Sequence, residues 1–127
     1  MIKRSIHSRF VSPVLAGKKT TTIRDKTWPV GKPIMLFAWS GKPYRSPHSD
    51  VCAVMVRGYW TVRITHSEDG TMHYECGRVS EVPLFVCEGF STQEEMDTWF
   101  RAVVPRGTTT EKKLMNFAII TGERNAK

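Results

Sequence analysis

Apolar and polar positions alternate over residues 59–66: Trp60, Val62 and Ile64 fall on one side, Thr61, Arg63 and Thr65 on the other. A period of two predicts a half-buried β-strand. Residues 51–56 are apolar enough for a separate, more deeply buried strand. Ser67-Glu68-Asp69-Gly70 is a turn signal, so residues 72–76 are expected to return as the second arm of a hairpin. His66 and His73 flank that turn and read as exposed hairpin residues rather than a ligand pair. Upstream, residues 19–24 are rich in Thr and Ile and read as extended. Residues 32–39 form another strand candidate, opened by the turn signal Pro29-Val30-Gly31, and residues 116–121 form a last one.

Helical signals are fewer. Residues 10–17 predict a short helix with Ser12 as cap, Pro13 in the first helical position and Gly17 as left-handed terminator. Ser91-Thr92-Gln93-Glu94 reads as a capping box. Met96, Trp99, Phe100 and Val103 then recur at helical spacing, an apolar stripe expected to pack into the core, and Pro105 ends the run. Residues 41–50 hold Gly, two Pro and polar side chains and read as a loop. About six strands, two or three short helices and no regular β-α-β alternation predict an α+β fold. Its expected form is a mixed, mostly antiparallel β-barrel or curled sheet with helices at the rim.

The chain has 127 residues, room for a single domain, with 40% hydrophobic residues. Its charge is uneven. Residues 1–45 carry +9, the remainder −2, for a formal net charge of +7. That asymmetry favours a polyanionic partner, most often a nucleic acid. No apolar run approaches the ~20 residues of a membrane helix. Met1-Ile2-Lys3-Arg4-Ser5 lacks the apolar centre of a signal peptide. Cys52, Cys76 and Cys87 are odd in number and widely spaced, which suits reduced thiols in a cytoplasmic protein. Neither they nor His7, His48, His66 and His73 show a metal-ligand spacing, so no metal or cofactor is expected.

The chemistry concentrates in Leu15-Ala16-Gly17-Lys18-Lys19-Thr20-Thr21-Thr22-Ile23-Arg24. If the strand is regular from Thr20, then Thr20, Thr22 and Arg24 share one face, and Thr21 and Ile23 point toward packing. Lys19 stands at the helix–strand junction, where it can swing toward the Thr22 face. A hydroxyl beside a desolvated amine is a nucleophile–base pair. The same residues would also suit a basic edge strand that only touches phosphates.

Gly17-x-Lys19-x-x-Thr22-x-Arg24 resembles the signature of the ASCH family, whose members have a PUA-like β-barrel and are associated with RNA and modified nucleosides. The family usually has Glu at the fourth marked position, where this chain has Thr22. With Thr there the stretch is similar to the branch of N4-acetylcytidine amidohydrolases. Cys87-Glu88-Gly89-Phe90-Ser91-x-x-Glu94-Glu95 resembles the acidic residue of the family just before its second helix. The resemblance implies a single ASCH domain over residues 1–127 with Lys19 as base, Thr22 as nucleophile and Glu88 as proton carrier. Arg24 or nearby backbone N–H groups would stabilise the oxyanion.

The loop Trp39-Ser40-Gly41-Lys42-Pro43-Tyr44-Arg45-Ser46 interleaves aromatic and basic residues, which suits base stacking beside a phosphate groove. Trp39 is equally readable as a strand-end core residue and Tyr44 as loop packing. Lys18, Lys19, Arg24, Lys42 and Arg45 are the candidate phosphate contacts, with Trp39 or Tyr44 on a base. The expected partner is a nucleoside or single-stranded RNA, with no membrane. The function so read is deacylation of an N4-acylated cytidine. The alternatives are an RNA-binding module without that chemistry and a metal-independent ribonuclease using Lys19 and Glu88 as acid–base groups.

Overall fold

The structure, a computed structural model, describes residues 1–78 and 80–120. Its strands are β1 (Ile2–Ser5), β2 (Thr21–Arg24), β3 (Pro33–Trp39), β4 (His48–His66), β5 (Met72–Cys76) and β6 (Thr108–Ile119). Its helices are α1 (Val11–Leu15), preceded by a 3₁₀ turn at Ser8–Phe10, α2 (Leu84–Cys87) and α3 (Gln93–Arg101).

β4 is the spine. Along one edge it pairs first with β3, from Trp39↔His48 to Pro33↔Met55, and then with β5, from Val62↔Cys76 to His66↔Met72. Along the other edge it pairs with β6 from Val54↔Ile119 to His66↔Thr108. The two strands expected at 51–56 and 59–66 are therefore one strand of 19 residues. The apparent break is a β-bulge: the register shifts between Val56 and Gly58, which bends the strand without ending it. The far half of the β4–β6 ribbon is held by polar cross-strand pairs. Thr65 Oγ1 lies 2.8 Å from Thr109 Oγ1, and Arg63 Nε lies 3.8 Å from Glu111 Oε2. The final strand thus begins at Thr108, not at 116, and Thr121 lies outside the described residues.

The sheet order is β1-β3-β4-β6-β2, with β5 also on β4. β1 runs parallel to β3 and the other ladders are antiparallel, so the sheet is mixed. The end strands β1 and β2 share no ladder among the described residues, so the expected barrel is not closed. A side chain bridges the seam instead: Arg24 Nη2 on β2 donates to the Ser5 carbonyl at the end of β1 at 2.9 Å.

The core forms where Ile34, Leu36, Val54, Val56, Val62, Ile64 and Leu114 of the sheet meet Phe10, Val14, Met96 and Phe100 of the helical segments. His66 belongs to this inward face, being buried with Nδ1 2.8 Å from the Val104 carbonyl, rather than exposed. The alternation that buries Val62 and Ile64 dictates this, and the chain after α3 covers it. His73 is exposed as expected.

Two helix starts differ from expectation. The 3₁₀ turn already begins the first helical run, so Ser12 lies inside α1 and caps nothing; His7 caps the turn, its Nδ1 accepting Arg9 N–H at 3.1 Å. The capping box of α3 is shifted by one residue: Thr92 is the cap and Glu95 its reciprocal partner. α3 ends at Arg101, before Pro105. Of its stripe, Met96 and Phe100 are buried, Trp99 is half-buried and Val103 is exposed.

Candidate active site

Two helix ends build the site in the same way. α1 closes in a Schellman motif: Gly17 N–H donates to the Val14 carbonyl at 3.0 Å and Lys18 N–H to the Pro13 carbonyl at 2.9 Å, with Gly17 at φ +75°. α2 closes likewise: Gly89 N–H donates to Val86 at 2.9 Å and Phe90 N–H to Phe85 at 2.9 Å, with Gly89 at φ +92°. The two ends join where Thr20 N–H donates to the Cys87 carbonyl at 2.8 Å. Lys19, two residues past one glycine, is thereby delivered against Glu88, one residue before the other.

Both side chains are buried, Lys19 at 4% and Glu88 at 3% relative exposure. Lys19 Nζ donates to the main-chain carbonyl of Glu88 at 2.7 Å and lies 3.8 Å from its carboxylate Oε1. The ammonium also sits 4.4 Å from the centroid of the Phe10 ring. Glu88 Oε2 accepts from Thr21 Oγ1 at 2.5 Å. Burial pushes Lys19 below its ordinary value; the Glu88 charge opposes that fall and Arg24 adds to it. A larger neutral fraction is what a lysine needs to act as a base.

Thr22 is buried on the cavity side of β2, and its Oγ1 accepts from Arg24 Nε at 2.9 Å. That bond uses a lone pair and leaves the hydroxyl proton available. The Arg24 guanidinium lies 4.7 Å from the Trp28 ring centroid. Burial lowers its pKa, Glu88 opposes this and Arg4 adds to it. No hydrogen bond joins Lys19 to Thr22 among the described residues; the two share a cavity rather than a direct contact.

That cavity, of about 450 Å³, is lined by Lys19, Thr22, Arg24 and Glu88, with walls from Phe10, Phe90, Trp99 and Phe100 and a rim from His7, Trp39, Pro43 and Tyr44. The loop expected at 41–50 is shorter, because β4 already starts at His48. It is closed by Ser40 N–H to the Pro47 carbonyl at 2.9 Å, and by Ser46 Oγ to the Lys42 carbonyl at 2.8 Å. Trp39 is half-buried beside Phe37 and His48 and also lines the cavity, so it serves both readings given to it. Tyr44 is 90% exposed, its ring 5.1 Å from that of Trp39, in a left-handed backbone conformation at φ +64°.

Lys42 and Arg45 are exposed and lie outside the cavity lining, and Lys18 lies on the other side of Gly89 beside Ser12 and Ser91. Part of the basic first third is paired: Lys3 Nζ lies 3.3 Å from Asp50 Oδ1, and Arg9 Nη2 lies 3.3 Å from Glu95 Oε2. Reading the chain alone misses Thr21, placed on the packing face, and His7, Phe10 and Trp99. The stripe of α3 does announce Trp99, but periodicity cannot separate a core wall from a cavity wall. Among the described residues, no three His, Cys, Asp or Glu are grouped to hold a metal, and no helix is long and apolar enough to cross a membrane. No protein-family model, curated protein or solved structure matches the chain.

Gly89 carries a specific constraint. A Cβ there would stand 3.0 Å from Lys19 Cβ and Cδ, on a backbone that L-residues rarely adopt. Gly89→Ala is expected to lose about 1–2 kcal/mol from the left-handed conformation alone, and to displace Lys19. A lower midpoint in denaturant with unchanged m-value checks this.

Proposed function

We propose that the cavity deacylates an acylated exocyclic amine on a nucleobase, with N4-acetylcytidine as the reference substrate, and that the chain is an ASCH-type amidohydrolase. The observation that carries this reading is that Lys19, Thr22 and Glu88 line one cavity walled by aromatic rings. The similarity of Gly17-x-Lys19-x-x-Thr22-x-Arg24 to the amidohydrolase branch supplies the substrate.

In this reading neutral Lys19 takes the Thr22 hydroxyl proton as Oγ1 bonds to the acyl carbon. The carbonyl π pair moves to oxygen, and the Arg24 guanidinium beside Thr22 offers it a cationic donor. The intermediate collapses with cleavage of the C–N bond. The leaving amine takes up the proton, relayed from Lys19 by Glu88. Water then adds to the threonyl ester, releasing the carboxylic acid and restoring Thr22. Because the reactive Lys19 is the neutral amine, kcat should rise with pH through the lowered Lys19 pKa, below the ordinary 10.5. A pH–rate profile without such a rising limb counts against Lys19 as base.

The exposed Tyr44 ring on the rim offers a face on which a base can stack at the entrance. Tyr44→Ala is expected to raise KM by roughly 5- to 150-fold, from the ~1–3 kcal/mol of one stacking contact, with kcat little changed.

A second reading, a module or metal-independent ribonuclease acting on single-stranded RNA, draws on the exposed Lys42 and Arg45 outside the cavity. Incubating wild-type protein with N4-acylcytidines and with mixed single-stranded RNA, both with EDTA, separates these outcomes. Release of cytidine supports the amidohydrolase, RNA cleavage the nuclease. Binding alone, weakening steeply with salt, supports the module.

A further inference from the structure

We propose that Thr21 is a positioning residue, its hydroxyl holding Oε2 of Glu88 so that the carboxylate stays turned off the Lys19 amine while remaining within its reach. This rests on the reading of Lys19 as base.

Thr21 is fully buried on the core side of β2, opposite Thr22. A valine would fill the same volume with the same preference for extended backbone. The hydroxyl therefore does not serve packing, and buried without a partner it would be unfavourable. Its partner is the Glu88 carboxylate at 2.5 Å. The lysine does not orient that carboxylate. Lys19 makes its close bond, 2.7 Å, to the Glu88 main-chain carbonyl, and its nearest carboxylate contact is 3.8 Å, beyond hydrogen-bond range. The threonine is thus what keeps the carboxyl group from rotating onto the amine.

A carboxylate that swung onto Nζ would form a tight ion pair and hold the lysine protonated. Held by Thr21, it leaves Lys19 more easily deprotonated, and a small rotation of the carboxylate is what brings it into hydrogen-bond contact when a proton is exchanged. The other charged or titratable groups that act on Lys19 or share its cavity are Arg24 on β2, His7 before the 3₁₀ turn and Tyr44 on the rim. Arg24 and Lys19 share a charge sign, so Arg24 does not replace the restraint.

The test compares Thr21→Val, Thr21→Ala and Thr21→Ser by two readouts. One is the titration of the Lys19 amine followed by nitrogen NMR, which needs no turnover. The other is the pH profile of kcat on N4-acetylcytidine. Val and Ala are expected to move both midpoints upward by about one pH unit, a tenfold change in the neutral fraction at fixed pH. kcat near neutrality then falls about tenfold while KM holds. Serine, which keeps the hydroxyl, is expected to match wild type, and alanine guards against any overpacking by valine. Wild-type midpoints in Val and Ala, or a serine variant shifted as far as valine, would overturn the proposal. If wild type turns over no substrate, the deacylase reading fails, and the amine titration alone still decides the role of Thr21.

Discussion

Replacing Thr22 by alanine is expected to lower turnover of N4-acetylcytidine by roughly 10³-fold or more, the scale of losing a nucleophile that acts as one unit with its base. The change removes one hydroxyl and one methyl from the cavity side of a short strand. The backbone ladder of β2 to β6, Thr22↔Met115 included, is untouched. Arg24 keeps its second anchor, the Ser5 carbonyl at 2.9 Å. The fold should therefore survive with a loss of about 1 kcal/mol, and circular dichroism with thermal melting checks that it does. Thr22→Ser keeps the oxygen and is expected to retain activity within about tenfold, since it loses only the methyl that fixes χ1. Alanine turning over as fast as wild type removes Thr22 from the chemistry.

The second large effect falls on stability as well as activity. Lys19→Met preserves length but strips the ammonium from a buried pair, leaving the Glu88 carboxylate with Thr21 as its close donor. Breaking a buried ion pair from one side typically costs ~3–5 kcal/mol. The double variant Lys19→Met/Glu88→Gln is expected to recover part of that loss, because no lone charge stays buried; denaturant unfolding of the four proteins measures the coupling. The pH dependence has a definite sign. Folded Lys19 titrates below its unfolded value near 10.5, so between the two the unfolded chain binds more protons. Stability from this group accordingly grows as pH rises toward 10.5, and the methionine variant loses that slope. Equal stability of wild type and Lys19→Met across this range would show that the pair contributes nothing to the fold.

Lys19 is legible in the sequence because it follows closely on a glycine that ends a helix, a strong local signal, whereas Glu88 is reached through the family resemblance alone. Thr22 and Arg24 are legible because a four-residue strand alternates without a bulge. What escapes is decided by distance along the chain. Thr21 reads as a packing residue, since its partner lies 67 positions away. β1 is missed because Ile2-Lys3-Arg4-Ser5 looks like a basic tail, and its pairing comes from β3. α2 has four residues, too few for a helical period. The start of β6, Thr-Thr-Thr-Glu-Lys-Lys, has no apolar face, because that part of the ribbon is held by polar pairs with β4 rather than by the core. The bulge near Arg57 reads as the end of a strand for a similar reason: an unpaired residue with a neighbouring glycine is also what a turn looks like. Whether the sheet closes is equally non-local: its end strands β1 and β2 share no ladder among the described residues, and one arginine side chain spans the seam between them.

The most direct measurement is chromatographic: wild-type protein with N4-acetylcytidine and EDTA at neutral pH, quantifying cytidine and acetate over time, with Thr22→Ala in parallel. Equimolar release of both products by wild type, absent with Thr22→Ala, is the expected result. Intact N4-acetylcytidine after prolonged incubation with folded wild-type protein, or equal release by the two proteins, would contradict a Lys19–Thr22–Glu88 deacylase.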